Sequence, residues 1–454
     1  MALPPILTDP AILEGYLSDA SNTRGSAEGL VRPASVEEVS AVVRHCQQGA
    51  IPLTVTARRT STTAAPIPEG GWLLSTEKLD ALYALNEAGA GILLGDYQRQ
   101  VEAAGRFFPP DPTSRFECSL GGAVACNASG ARTYRYGPTR PWIEQVEVVL
   151  PDGRILVADR STPSPWPVPQ WVQPQVKTAA GYFPTDNLLD LLIGAEGTLG
   201  VITRVWTRLL PLPAHVLAFL AFFPTREAML GFLAEVRAGR HDPQAPLQPR
   251  CIEYFDRRSL DLIRGRVPVS AADCAVSIEV EYEGEAPLDV WFEALVRHDA
   301  LVDDTIVAED EAGLARLHAI RHALPAEVNE IIARNGVRKV GTDFAVPDAA
   351  LPEMLALYDD TGMPAVCFGH LGDNHLHLNF LPRTQSEWTD AKERYMTLAR
   401  RAVALGGTVS AEHGIGRLKR AHLAMMVGEA QVEAWRALRK LADPNGILGR
   451  GVIV

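Results

Sequence analysis

Cys118-Ser-Leu-Gly-Gly-Ala-Val-Ala-Cys-Asn-Ala-Ser-Gly130 is the stretch on which the fold turns, and Ile193-Gly-Ala-Glu-Gly-Thr-Leu-Gly200 is its counterpart farther along. Both mix residues of little bulk with hydroxyls and amides. Such loops let backbone N–H groups come close to a phosphate or a flat ring. Neither fits the G-x-G-x-x-G or the P-loop spacing. By composition each alone is an ordinary tight loop; as a pair they suggest a ligand-facing surface.

The rest of the chain bounds the answer. Its 454 residues suffice for two or three domains with a large core. Apolar residues at 47% and charged residues at 22% are ordinary for a globular enzyme. A formal charge of −12 argues against nucleic acid, which needs a basic face to neutralise phosphates. A small anion stays open as a ligand, because a local group of Arg and His can oppose the global sign. The six cysteines are scattered with no C-x-x-C pair, so neither a zinc ribbon, an iron–sulfur cluster nor a disulfide framework is expected. Met1 to Asp9 has no basic n-region and no long apolar core, so no secretory leader is expected. The most apolar stretch, Leu209 to Phe223, is broken by two prolines and a histidine and reads as a loop and a buried strand.

Local signals place the elements. Ser35-Val-Glu-Glu38 is a capping box, followed by Val36, Val39, Val42, Val43 and Cys46 at helical spacing and closed by Gly49. A strand follows at Ile51 to Val55. Val146 to Val157 reads as a hairpin around Pro151-Asp152-Gly153. Ser161 to Pro174, rich in proline, reads as a loop or insertion. Leu199 to Leu209 reads as a strand, and Pro211-Leu-Pro213 as a domain boundary. Beyond His215, strand and helix alternate: a helix over Thr225 to Gly239, a strand over Cys274 to Glu281, and two helical segments divided by Pro325. Val337 to Val346 reads as extended, Ser386 to Leu405 as a long helix, and Gln431 to Leu441 as a closing helix.

Phe368-Gly-His-Leu-Gly-Asp-Asn-His-Leu-His-Leu-Asn-Phe380 gathers three of the eleven histidines. Period two puts His375, His377 and Asn379 on one strand face and Leu376, Leu378 and Phe380 on the other. The turn signal Gly372-Asp373-Asn374 can fold His370 back beside His377. Two converging imidazoles need one carboxylate to complete a three-ligand metal site with an open position. Gly406-Gly-Thr-Val-Ser-Ala-Glu-His-Gly-Ile-Gly416 supplies Glu412 as that ligand and His413 as a free base, in a glycine-flanked loop after a short strand. The plainer alternatives are histidines hydrogen-bonded on a half-exposed sheet and a turn with solvated polar tips.

Together these residues resemble the FAD-linked oxidases of the vanillyl-alcohol-oxidase type, in the branch of the D-lactate, glycolate and D-2-hydroxyglutarate dehydrogenases. The resemblance covers nearly the whole chain. It rests on Phe107-Phe-Pro-Pro-Asp-Pro112, the Gly121-Gly122…Asn127…Gly130…Tyr136-Gly137 run and Ile193 to Ile202. It also rests on Gly369 to Asn379, Ser410 to Gly416 and Asp443-Pro-Asn-Gly-Ile-Leu448. It implies an α+β fold: a two-part FAD-binding domain over 1–213, an α/β, ferredoxin-like substrate cap over 214–405, and a helical segment over 406–454 that returns to the flavin domain. It implies FAD held by Pro110, Asp111, Ser119, Gly121, Gly122, Asn127, Ser129, Gly130, Tyr136, Gly137, Glu196, Gly197, Gly200, Val201 and Ile202. It implies a divalent cation, zinc or manganese, on His370, His377 and Glu412. His413 would take the proton of a D-2-hydroxy acid while hydride passes to the flavin. Arg321 would bind the substrate carboxylate as a planar fork, with Asn379 adding a polar contact. His375 stands where the family usually has Asn, and its role stays open.

One stretch departs from the pattern. Where the family places an arginine and a run of glycines for the pyrophosphate, this chain has Thr56-Ala-Arg-Arg-Thr-Ser-Thr-Thr-Ala-Ala65, without glycine. Trp72 to Arg106 also looks shortened. Arg58 and Arg59 either neutralise the pyrophosphate or fill its place. Two alternatives therefore stand beside a flavin- and metal-dependent dehydrogenase. One is a member with weakened or lost FAD binding that serves as a metal-containing partner subunit. The other is a metal-dependent hydrolase or lyase. The remaining expectations are a small 2-hydroxy acid and an unidentified electron acceptor as partners, a homodimer, and no nucleic acid or integral membrane segment. The expected location is the cytoplasm. Peripheral membrane contact is common in the family, but no amphipathic basic segment here supports it.

Overall fold

The structure, a computed structural model, describes residues 3–268 and 271–454. Met1 and Ala2, at the start of the amino-terminal stretch read above, lie outside the described residues. Three larger sheets and one two-stranded pairing, Leu210–Pro211 with Arg106–Phe107, organise the described residues.

The first sheet runs Ile6–Leu7, Gly29–Val31, Trp72–Ser75, Leu53–Thr56, with its last two pairings parallel. Its crossover helix Val36–Gly49 starts as the capping box predicts: Ser35 Oγ accepts from Glu38 N at 3.3 Å. Val39, Val42, Val43 and Cys46 are fully buried against the sheet. Gly49 is the last helical residue; the left-handed cap falls on Ala50, at φ 49°. The second sheet is antiparallel, in the order Leu82–Ala84, Glu87–Gly89, Val201–Thr207, Ile143–Val149, Ile155–Ala158. The hairpin through Pro151-Asp152-Gly153 forms as read, with Gly153 at φ 82° supplying the left-handed turn.

The third sheet is the largest. It orders Ile306–Ala308, His215–Phe223, Cys274–Tyr282, Pro249–Asp256, Ala365–His370, His375–Phe380 and Val340–Gly341, and Phe344–Ala345 also pairs with His375–Phe380. One face buries Phe219, Tyr254, Leu376, Leu378 and Phe380 beneath the helices Arg226–Ala238, Leu288–Arg297 and Gln385–Ala404. The opposite face carries Phe255, Val366 and Phe368 against the helix Glu311–Asn335.

That helix corrects the sequence reading of two segments divided at Pro325. It is one helix of 25 residues with the proline inside it. A proline there removes an N–H and costs about 3 kcal/mol. Leu317, Ile320, Leu324, Val328 and Ile332 line up on both sides of it and are buried in one cluster, which offsets that cost. One more reading changes. Val337 to Val346 is extended as read, in the two short strands Val340–Gly341 and Phe344–Ala345, but the short strand expected just before Glu412 is not formed: Thr408 makes only an isolated bridge to Ala345. A helix over Arg420–Val427 was not foreseen.

The carboxy-terminal stretch returns to the first half of the chain. Val409, Ile415, Leu423, Trp435, Leu438 and Val452 share a core with Tyr97, Leu120, Trp142 and Leu189. Leu53 N donates to Ile447 O at 2.7 Å. This return carries Glu412 and His413 to the edge of the third sheet. No helix among the described residues is long and apolar enough to cross a membrane.

Candidate active site

The histidines converge because of one hairpin. In the register of Ala365–His370 with His375–Phe380, His370 faces His375 and Phe368 faces His377. Asn374 closes the turn at φ 52°, a conformation Asn tolerates better than most residues. Directly opposed residues share a face, so all three rings project to one side, with centroids 4.5 to 5.6 Å apart. Glu253 pairs with His370 from the neighbouring strand and joins the same face.

Glu412 meets them from the carboxy-terminal loop. Its Oε2 lies 3.3 Å from His370 Nε2 and its Oε1 lies 3.3 Å from His377 Nε2. The ring nitrogens turned away from Glu412 are also engaged. His370 Nδ1 is 2.5 Å from Glu253 Oε1, and His377 Nδ1 is 3.0 Å from Thr342 O. Each acceptor orients its ring and leaves Nε2 turned toward Glu412. Asn379 sits two residues beyond His377, buried, its amide on His377 O at 3.2 Å.

Asp343 builds the loop that carries Glu412. It accepts from Glu412 N and His413 N at 3.1 Å each and from Ser410 Oγ at 2.9 Å, and it pairs with Lys419. Burial opposes its charge, but His413, Lys419 and His375 hold its carboxyl well below the usual range. His413 Nδ1 lies 3.3 Å from Asp343 Oδ2, and its Nε2 lies 3.6 Å from Glu412 Oε1. Burial brings the His413 imidazole down to about 4 against the pull of Asp343, so it is a neutral ring at physiological pH. Burial likewise disfavours the charge of His370, but Glu253 outweighs it and raises the ring to about 9. Glu412 is held well below the carboxylate range against its burial, by Lys177 first and then His370.

A cavity of about 530 Å³ opens beside this cluster. It runs from Val55–Thr62, past Ser119, Gly121, Gly122 and Ser129, to Gly197, Gly200 and Ile202, and it ends on Glu412 and His413. Glu196 borders it and clamps the far loop, accepting from Ile415 N at 2.8 Å and Gly416 N at 2.9 Å. Other residues named from the sequence sit behind this wall. Asn127 turns its amide oxygen to Arg140 N, Pro110 O accepts from Gln98, Tyr136 donates to Glu281, and Val201 is core. Gly130 lies against Asp111, where a Cβ would come 2.1 Å from Asp111 O. Gly137 takes φ 73° at the end of the short helix Thr133–Tyr136.

The glycine-free loop keeps an open path. Arg59 and Ala64 take left-handed φ values of 57° and 60°, so the backbone makes turns of the kind glycine favours, at a steric cost glycine would not pay. The Arg59 guanidinium is drawn off onto the ring of Tyr16, 4.4 Å from its centroid. Arg58 Nε and Thr56 Oγ1 line the cavity as buried groups with no hydrogen-bond partner among the described residues.

A second, smaller cavity of about 70 Å³ adjoins His370 and holds Asp111, Arg132, His318 and Arg321. Arg321 Nε donates to Glu253 Oε2 at 2.6 Å. Glu253 is held at about 2: burial opposes its charge, and His370 and Arg321 outweigh that.

Four members of this network were not foreseen. Lys177, just past the proline-rich loop Ser161–Pro174, places Nζ 2.9 Å from Glu412 Oε2 with 3% of its side chain exposed. Asp343 and Lys419 had no flag in the sequence. Glu253 did: it is a lone carboxylate inside the apolar run Cys251-Ile-Glu-Tyr-Phe255, and a charge there must be paired.

Comparison with known proteins closes the question of kinship. The sequence profile described as "FAD linked oxidases, C-terminal domain" matches residues 212–453, and that described as "FAD binding domain" matches residues 27–159. A D-lactate dehydrogenase of Archaeoglobus fulgidus is 30% identical, over 94% of this chain and 91% of its own length. The glycolate oxidase subunit GlcD of Bacillus subtilis is 27% identical, over 93% of this chain and 88% of its own. A mitochondrial D-2-hydroxyglutarate dehydrogenase of Bos taurus is 30% identical, over 98% of this chain and 80% of its own. Among solved structures, an alkyldihydroxyacetonephosphate synthase superposes with a TM-score of 0.71 at 17% identity, covering 98% of this chain and 81% of that one. This last likeness speaks to the fold alone. The chain belongs to the family of FAD-linked oxidases.

Proposed function

We propose that the protein is an FAD-dependent dehydrogenase that oxidises a D-2-hydroxy acid to the 2-oxo acid with the help of a divalent cation. The observation that carries this reading is the end of the large cavity, where His413 stands beside a carboxylate ringed by imidazoles. The kinship with enzymes named D-lactate, glycolate and D-2-hydroxyglutarate dehydrogenase supports the substrate class.

The residues present fit both groups. Arg58 Nε and Thr56 Oγ1 are unpaired donors in the cavity wall, which suits a pyrophosphate. His370, His377 and Glu412 present nitrogen and oxygen donors whose other ring atoms are already anchored, which suits zinc or manganese. Bound there, the flavin would supply a two-electron oxidant and the cation a Lewis acid for the substrate hydroxyl.

The chain's own residues do the rest. His413 accepts the hydroxyl proton as hydride leaves the same carbon, so both electrons depart with the hydrogen and a carbonyl remains. Asp343 holds His413 Nδ1 and both backbone amides of the loop, which keeps the ring oriented. Arg321, held by its Nε on Glu253, offers its two terminal amino groups to the substrate carboxylate. Asn379 adds a polar contact from the strand that carries His377.

Anaerobic mixing of the FAD-loaded protein with D-lactate, glycolate or D-2-hydroxyglutarate tests the reading. Bleaching of the flavin by a D-acid and not by its L-enantiomer is the expected result. A flavin that stays oxidised with every acid would contradict it.

A further inference from the structure

His375 is the histidine whose role the sequence left open. It stands where the resemblance places Asn. Its side chain is completely buried. Nε2 lies 2.8 Å from Asp343 Oδ1, and Nδ1 lies 3.7 Å from Glu412 Oε2. The arrangement repeats that of its neighbours: one ring nitrogen sits against a fixed acceptor, and the other faces Glu412.

Both ring nitrogens of His375 and Nε2 of His370 lack a hydrogen bond of good geometry among the described residues, although His375 Nε2 stands within ion-pair distance of Asp343 and His370 Nε2 within ion-pair distance of Glu412. A buried nitrogen without a hydrogen bond is costly, and this site carries three of them side by side. The nearest ammonium, Lys177, gives its charge to Glu412 Oε2 instead. One donor atom each from His370, His375, His377 and Glu412 lies within 4.8 Å of every other. Donors bound at about 2.1 Å to one ion fall within such a span.

We propose that His375 is a ligand of the cation, so that the site has three imidazoles and one carboxylate. The proposal rests on the metal reading above and sharpens it. Three imidazoles select a transition metal over magnesium or calcium. Four protein ligands also require the metal to reach five or six coordination before it takes a substrate oxygen, which manganese does readily and zinc does by expansion. Asp343 then serves two tasks: it orients His375 from one side and the Glu412-His413 loop from the other.

The test is a count of nitrogens. Metal-free full-length protein is loaded with one equivalent of Cu²⁺ and examined by electron paramagnetic resonance. Zn²⁺ affinity is measured by calorimetry on the same protein and on His375→Asn. The expected result is hyperfine coupling to three nitrogens in the wild type and two in the variant, with Zn²⁺ binding at least tenfold weaker in the variant. Two nitrogens in the wild type, or an unchanged Zn²⁺ affinity in a folded variant, overturns the role of His375 and leaves the two-histidine site intact. Uptake of neither metal by the wild type overturns the metal reading as a whole. The wild-type spectrum decides the question even where the variant does not fold.

Discussion

Glu412 Oε1 faces His377 Nε2 at 3.3 Å, while its other oxygen is tied to the buried ammonium of Lys177 at 2.9 Å. One carboxylate therefore neutralises a lysine and completes the histidine cluster. Glu412→Gln is expected to cost on both counts. Metal content of the purified protein should fall to a small fraction of the wild-type value. Denaturant unfolding should show a loss of about 3–5 kcal/mol, because Lys177 is left buried without a counter-charge. Pairing the change with Lys177→Met should restore much of the stability and none of the metal, as read by elemental analysis and unfolding together.

His413 is assigned the proton, so its loss should appear in turnover more than in binding. For His413→Asn the expected fall in kcat is about 10²–10⁴-fold, with KM changed only a few-fold and flavin content unchanged. Steady-state kinetics with the best D-acid substrate checks it.

Arg321 is assigned the carboxylate. Arg321→Lys keeps the positive charge that Glu253 needs but loses the planar fork. A rise in KM of about tenfold or more is expected, the size of one lost charge-assisted hydrogen bond. An unchanged KM would remove Arg321 from the substrate pocket.

Glu196 gives the fold a pH dependence. Burial lifts its carboxyl to about 7, against the pull of the Ile415 and Gly416 amides and of Lys419. Its ordinary value is 4.5, so between about 4.5 and 7 the folded protein holds a proton that the unfolded chain has released. Stability from this group therefore falls as pH rises through that window and levels off above it. Glu196→Gln carries no such proton, and its unfolding midpoint in urea should vary less between pH 4.5 and 7 than that of the wild type.

Much of this was legible because it depends on periods and turns. Alternation in His375–Phe380 and the turn at Asn374 set the face and the fold-back of the histidines before any tertiary information was needed. Pro325 misled because a local helix breaker was weighed without the five buried aliphatic and branched residues that hold its helix to the sheet. Lys177, Asp343 and Lys419 were silent for another reason. Lys177 and Asp343 come from separate segments, and only the return of the carboxy-terminal stretch brings them to Glu412, while Lys419 arrives on that same stretch to pair with Asp343. Glu253 lay within reach, since a carboxylate in a buried strand needs a partner, and here it has His370 and Arg321.

The glycine-free loop at Thr56–Ala65 carries the central question, because its side chains border the cavity that the flavin must fill. The direct measurement is the visible absorbance of the purified protein before and after addition of FAD, with unbound cofactor removed. The loop path through Arg59 and Ala64, the outward turn of Arg59 onto Tyr16 and the unpaired Arg58 Nε predict a retained flavin spectrum at one FAD per chain. A colourless protein that takes up no FAD on reconstitution would contradict the account.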